Sequence, residues 1–425
     1  MTADRLRLIA SIAFNVISKS PAVLNIAFIL PLIHKSLGTA LYGEFLSMLA
    51  LGSSFTLFFG GINTVSRRHL SAAHGSNNKA EESKIISDAV GCAMIAAILS
   101  GIVVAAIASR TASAPALVFA ALLPIFAAFT NTFDNLRAAY NEHYITAILQ
   151  TIAQVIVYVW VIYSGLEPGA LLASALTLQL PFIVASVLTF LLLLWKRDHL
   201  RVVAAPQRIA ATFRSAFYVT LSDGALFAAL NASLYGLGAL GAVGVAAWYG
   251  TLIRVFQTLL SPALLIMLPI TSFIAIRWVS WTTIQRTKAW RSVAAISFGY
   301  GILVSLLFTI GANPYLTALF PDVPRFSAFH LICLAFFFGT VVCQKVYSQF
   351  TYSIAEGKSL AVGIFGSVCM GLLTATIGFL RFEPLNALDF LALATGIPLV
   401  LVVVSDLVLG NRHQREKPIA SGSRP

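Results

Sequence analysis

Apolar runs of roughly 18–25 residues, the length at which an α-helix crosses a bilayer, recur along this whole chain. They are read at 8–33, 42–64, 85–108, 114–136, 143–164, 168–195, 213–237, 243–270, 291–311, 326–351, 359–380 and 386–409. The runs are not short alternating strands, and a helix satisfies its own backbone polar groups in lipid. The pattern predicts an all-α polytopic membrane protein of about 12 transmembrane helices. Composition agrees: 58% of the 425 residues are hydrophobic and 10% are charged, against about 25% charged in a soluble domain. Very little chain remains for a soluble domain.

The basic residues set an expected orientation. With the N-terminus inside, 21 of the 28 lysines and arginines fall in cytoplasmic segments, and only Lys35, Arg110, Arg325 and Arg381 fall outside. Both termini are therefore expected in the cytoplasm, and the net charge of +12 reads as loop charge facing membrane lipids rather than as a nucleic-acid surface. The opening "RLRLIA" resembles a basic leader, but the apolar run behind it is too long for a signal peptide, so it is read as a retained first helix. Cys92, Cys333, Cys343 and Cys369 all lie in apolar runs without metal spacing and read as packing residues.

A basic stretch, "WKRDHLRVVAAPQRIAATFR", falls halfway along the chain. It divides an N-terminal six-helix bundle (1–195) from a C-terminal one (213–409), with 196–212 as a cytoplasmic linker whose second part is suited to lie on the membrane surface. Residues 410–425 read as a disordered cytoplasmic tail. The halves echo one another: "LGTALYGEF" enters helix 2 and "LGAVGVAAWYGTLIR" enters helix 8, aligning Tyr42-Gly43 with Tyr249-Gly250. Symmetry between halves places a transporter's substrate site at their interface.

Charges inside the bilayer are costly and face the bundle interior or a wet cavity. Lys19 lies deep in helix 1. Ser11, Asn15, Ser18, Ala22 and Asn25 recur at intervals of four and three, so Lys19 stands beside a polar stripe, with Pro21 favouring a bend. Asp223 lies at the matching place in helix 7, with Asn231 roughly on its face. It is a candidate counter-ion for Lys19, a proton carrier, or both. Arg254 in helix 8 has Gln257 one turn on. Its planar donor fork suits phosphate. Lys345 in "CQKVYSQFTYS" lies nearer the inner end of helix 10, close enough to snorkel. Asn131, Asp134, Asn135, Gln150 and Gln154 either line a cavity or bond between helices. Three cations against one centred acid favour an anionic substrate. No Walker loop, HExxH or GxSxG is present, so no enzyme activity, metal or cofactor is indicated. Asp322, a lone acid in an external loop, and His330, a lone histidine just inside helix 10, are each read as structural.

The segment "LGTALYGEFLSMLALGSSF", the Gly60-Gly61 end of helix 2 and the basic loop "RRHLSAAHGSNNKAEES" together resemble the polysaccharide-transporter branch of the multidrug/oligosaccharidyl-lipid/polysaccharide exporter superfamily, which holds the Wzx-type O-antigen and capsule flippases. The resemblance implies a V-shaped, MATE-like pair of bundles opening alternately to each side of the bacterial inner membrane. It implies an undecaprenyl-pyrophosphate-linked oligosaccharide as substrate, cations on helix 1 (Lys19) and in the second half (Arg254) as its phosphate ligands, and a glycan polymerase and other polysaccharide-assembly proteins as partners. A small-molecule or multidrug antiporter of the same fold is the first alternative, and a membrane glycan polymerase or ligase the second.

Overall fold

A computed structural model describes residues 23–55, 58–110, 112–140, 142–200, 206–278, 281–319, 326–354, 358–381 and 383–410. Lys19, Asn15 and Ser18 lie outside the described residues. The side chain of Asp223 lies outside them as well, although its backbone belongs to a helix.

The described residues form twelve α-helices: α1 (Leu30–Phe55), α2 (Phe58–Gly75), α3 (Lys79–Ala108), α4 (Ala114–Ala139), α5 (His143–Ser164), α6 (Leu171–Lys196), α7 (Pro206–Ala239), α8 (Val243–Trp278), α9 (Thr283–Leu319), α10 (Ala328–Ile354), α11 (Lys358–Arg381) and α12 (Pro384–Ser405). A π-helical turn, Asn25–Ile29, leads into α1. Within α1, Gly38 breaks the helix at φ 70° and ψ 166°, a backbone region that a residue with a Cβ rarely adopts. The first expected span therefore ends at Leu37, and the second begins just past Gly38 and continues through α2.

Among the described residues, ten helices are long and apolar enough to cross a membrane. One is Asn25–Ser54, which merges parts of the first two spans across Gly38. Among the twelve α-helices, α2 and α7 are not counted. α2 carries Arg67 and Arg68; α7 carries Arg208, Arg214 and Asp223. These two polar helices pack against each other, with Gly61 of α2 seated on Ala216 and Thr220 of α7.

Packing divides the helices into two bundles. α3 lies on α4 and α5 on α6, with α4 touching α1, α2 and α6. In the second set α9 lies on α10 and α11 on α12, with α10 touching α8 and α12, and α11 touching α7. The bundles meet along a seam of α1 and α2 against α7 and α8. Outward faces are apolar and exposed, as at Ile98 and Ile102 on α3 and Leu306 and Ile310 on α9.

Several boundaries differ from the sequence reading. Residues 206–212 do not form a separate surface helix; they are the first two turns of α7. Ile209 is buried against α3, with its carbonyl 3.6 Å from Cys92 Sγ, and Arg208 Nε lies 3.3 Å from Asp88 Oδ1. α9 overruns its expected span at both ends. Three of the cysteines are buried, as expected of packing residues, but Cys369 is exposed on α11.

Candidate functional site

The two tyrosine–glycine pairs of the sequence echo meet at the seam. A Cβ on Gly43 would overlap the Val243 carbonyl oxygen at the start of α8, and one on Gly250 would come within 2.8 Å of Leu46 on α1. Each glycine thus lets the opposite helix approach. Tyr42 and Tyr249 are both fully buried beside them. Gly238 abuts Ser47, and Gly61 abuts Ala216 and Thr220 on α7. Near the end opposite the basic loops, a cleft of about 260 Å³ remains between Leu41, Glu44 and Met48 of α1 and Gly238, Ala239 and Val243.

A polar cluster spans the seam below that cleft. The Tyr42 hydroxyl lies 3.1 Å from Thr251 Oγ1. Thr251 donates its own hydrogen to Ala247 O at 2.8 Å, so Tyr42 is the donor. His34 stacks edge-on against Tyr42 at 5.1 Å. One turn beyond Thr251, Arg254 is half-buried and within electrostatic reach of Tyr42. Its Nη1 donates to Gln257 Oε1 at 2.9 Å. No described carboxylate pairs with it. Gly250, Thr251, Arg254 and Gln257 recur at helical spacing, which turns this face of α8 toward α1. Arg254 stands 11 residues into α8, about 16 Å below its start at 1.5 Å per residue. Asn25, 13 residues before Gly38, is about 20 Å below the same end. The Asn25 Oδ1 atom is buried with no hydrogen-bond partner among the described residues.

Lys345 occupies a second level. Phe256 of α8 stacks on Phe338 of α10 at 4.4 Å, which registers the two helices. Lys345 then lies roughly 13 Å closer to the basic end than Arg254. It is buried. Residues 345, 349 and 352 form one stripe of α10, and Tyr352 donates to Ser222 Oγ on α7 at 2.6 Å. Among the described residues, the Gln349 Oε1 atom is buried without a partner, as is Asn231 Nδ2 on α7. Ser222 immediately precedes Asp223. The structure therefore places Arg254, Gln257, Lys345, Asn25 and Asn231 on helices that meet at or near the seam, with the two cations at different depths.

Other polar residues serve packing. Asp134 accepts from Gln150 Nε2 at 2.7 Å and from Ser186 Oγ at 2.9 Å, tying α4, α5 and α6 together. Three features were missed by sequence reasoning because their partners are distant in the chain. At the basic end, the buried Glu82 carboxylate binds His74 Nδ1 at 3.0 Å, His199 Nε2 at 3.0 Å and the Tyr140 hydroxyl at 2.8 Å. Burial and the Glu82 charge push the Tyr140 hydroxyl far above the ordinary phenol value, so it remains a donor. Arg197 lies 3.8 Å over the Tyr140 ring and bonds Glu142. In the second bundle, His330 Nδ1 pairs with Asp389 Oδ2 at 2.5 Å, a partner in keeping with the structural reading of His330; Asp322 lies outside the described residues. Near the far end of α12, Tyr347 donates to Asp406 at 2.7 Å and accepts from Trp290 at 3.0 Å. No group of described residues is arranged to hold a metal ion.

No family model matches the sequence, and no curated protein does. Solved structures do match in fold. One is the inward-facing conformation of a multidrug resistance MATE family transporter of the MOP superfamily, with TM-score 0.66 and 14% identity over 96% of this chain and 98% of that one. The outward-facing conformation of a MATE family transporter matches with TM-score 0.69 and 14% identity over 98% and 96%. A MOP superfamily transporter from Pyrococcus furiosus, described for the reverse polarity of its binding pocket and a different function, matches with TM-score 0.71 and 14% identity over 97% and 96%. These neighbours are transporters rather than enzymes. The chain has the MATE transporter fold of two helical bundles and is a multi-pass membrane protein.

Proposed function

We propose that this chain, built on the MATE fold, is a flippase that moves an undecaprenyl-pyrophosphate-linked oligosaccharide across the bacterial inner membrane by alternating access. The bundles 1–195 and 213–409 would rock about the seam, joined by the linker 196–212, with both termini in the cytoplasm. The observation that carries this reading is Arg254: a guanidinium near mid-bilayer, facing the seam between the bundles, bonded to an amide and with no described carboxylate to neutralise it. A guanidinium fork held in a low-dielectric site binds phosphate oxygens in a bidentate manner. Lys345 supplies a second cation nearer the basic end, where a pyrophosphate would enter. Lys19 is proposed as a third, and Asp223 as the group that couples closure to proton or ion movement. Asn15, Ser18, Asn25, Asn231 and Gln257 provide neutral hydrogen bonds along the path. The lipid tail would stay in the bilayer while the sugars cross.

The test is transport. Lys19→Ala and Arg254→Ala should each abolish surface-glycan assembly while leaving membrane insertion intact; normal glycan in both variants overturns the reading. A second reading, export of small molecules, is favoured by the multidrug transporters among the structural neighbours. Uptake of a soluble dye by purified protein in liposomes, with no movement of lipid-linked sugar, would establish it instead. Copurification with a glycan polymerase would support the assembly role.

A further inference from the structure

The carbonyl of Ile26 has no donor within its own helix, and Pro31 is the reason. In a regular α-helix, Ile26 O accepts from the Leu30 N–H. Here the Leu30 N–H reaches one residue farther back, to Asn25 O, and closes the π-helical turn Asn25–Ile29. That five-residue spacing assigns Ile26 O to residue 31, which is proline and has no N–H. The proline ring also crowds the carbonyl four residues back, on Ala27, and the wider turn relieves it. Tyr315 of α9 fills the vacancy. Its hydroxyl donates to Ile26 O at 2.9 Å, a contact between residues 289 apart in the chain.

A π turn is one residue inserted into an α-helix. Rewinding it rotates one side of the helix against the other by about 100° and shifts it about 1.5 Å. Asn25 lies at the start of this turn, with its amide oxygen buried. We propose that Tyr315 is a positioning residue: by binding Ile26 O, its hydroxyl holds the π turn open and thereby aims the Asn25 amide into the interior. On the transport reading, to which this last step alone is tied, the Asn25 amide then donates to the substrate's phosphate.

The test uses full-length protein in nanodiscs with the four native cysteines replaced and a single Asn25→Cys. Adding Tyr315→Phe removes only the hydroxyl and should change the rate of maleimide labelling by about fivefold or more as the turn rewinds. Pro31→Ala restores an N–H and lets the turn rewind unaided, so Tyr315→Phe in that background should change labelling by less than about twofold. Labelling unmoved by Tyr315→Phe, or effects of the two substitutions that multiply, overturns the proposal. A purely structural tyrosine would lower thermal stability without this epistasis. In proteoliposomes with Asn25 intact, Tyr315→Phe should raise KM for an undecaprenyl-pyrophosphate oligosaccharide about threefold or more, with kcat within about twofold. Altered labelling with an unchanged KM removes Asn25 from the substrate path. Altered labelling in a parent protein that moves no such lipid refutes the transport reading and leaves the turn assignment standing.

Discussion

The Tyr42 hydroxyl donates to Thr251 across the seam, 209 residues away and fully buried. It is a direct polar link between the bundles. The Tyr42 hydroxyl loses water on closure and finds its acceptor in Thr251, whose own hydrogen stays on the Ala247 carbonyl. Tyr42→Phe and Thr251→Val should each cost about 1 kcal/mol of thermal stability in detergent. The double variant should cost less than the sum, because the second change removes an already broken bond. Strict additivity would show that the two groups do not interact.

The glycines at the seam set how closely the bundles approach. Gly43→Val places carbon into the Val243 carbonyl, so the helices must separate. Gly43→Val should therefore lower the protein's stability in detergent by about 1–3 kcal/mol, read as thermal unfolding. An unchanged unfolding midpoint would show that the seam yields elsewhere.

Arg254 separates charge from geometry. Arg254→Lys keeps the cation and loses the fork, so transport should fall about tenfold. Arg254→Gln loses both and should fall about a hundredfold. Gln257→Ala frees the guanidinium from its amide and should have the mildest effect. The check is initial flipping rate in proteoliposomes at one protein density.

Glu82 gathers three donors from α2, α4 and the segment after α6. Glu82→Ala leaves the buried Tyr140 hydroxyl without its acceptor, while the partly exposed His74 and His199 can turn to water, and should destabilise the protein by about 1–3 kcal/mol. Tyr140→Phe removes one donor and should cost about 1 kcal/mol. Thermal unfolding measured by intrinsic fluorescence will report both.

His330 and Asp389 form the corresponding polar anchor between α10 and α12. Asp389 Oδ1 already lacks a partner. His330→Ala strips the other oxygen too and should destabilise more than Asp389→Asn, which removes the need to bury a charge. The reverse order in thermal unfolding would contradict this.

Most of the helical order was legible in the sequence because the membrane imposes one length and one polarity on every span. The faint tyrosine–glycine echo was legible too, and it proved to mark the seam. Arg254 and Lys345 stood out because a charge in an apolar run is an anomaly by itself. Glu82, Asp389 and Tyr315 did not. Glu82 fell in the basic loop "RRHLSAAHGSNNKAEES" ahead of the third span, and Tyr315 between the ninth and tenth spans. Apart from His74, eight residues from Glu82, their partners lie 58 to 289 residues away, and no local pattern encodes such pairings. The extent of α7 was misread because residues 206–212 are amphipathic, and burial against α3 rather than lipid absorbs their apolar side.

Gly38 has a mechanical consequence. It joins the first two spans through a single residue, with no slack loop between them, so the outer end of the first helix is pinned to the second. Any swing of the first helix must pivot there and grow with distance from the elbow. Asn25 sits at a lever arm of about 20 Å. A tilt of about 15° would carry it roughly 5 Å sideways, a full turn's worth of travel. The chain thus concentrates displacement near the depth of Arg254, while the far end stays put.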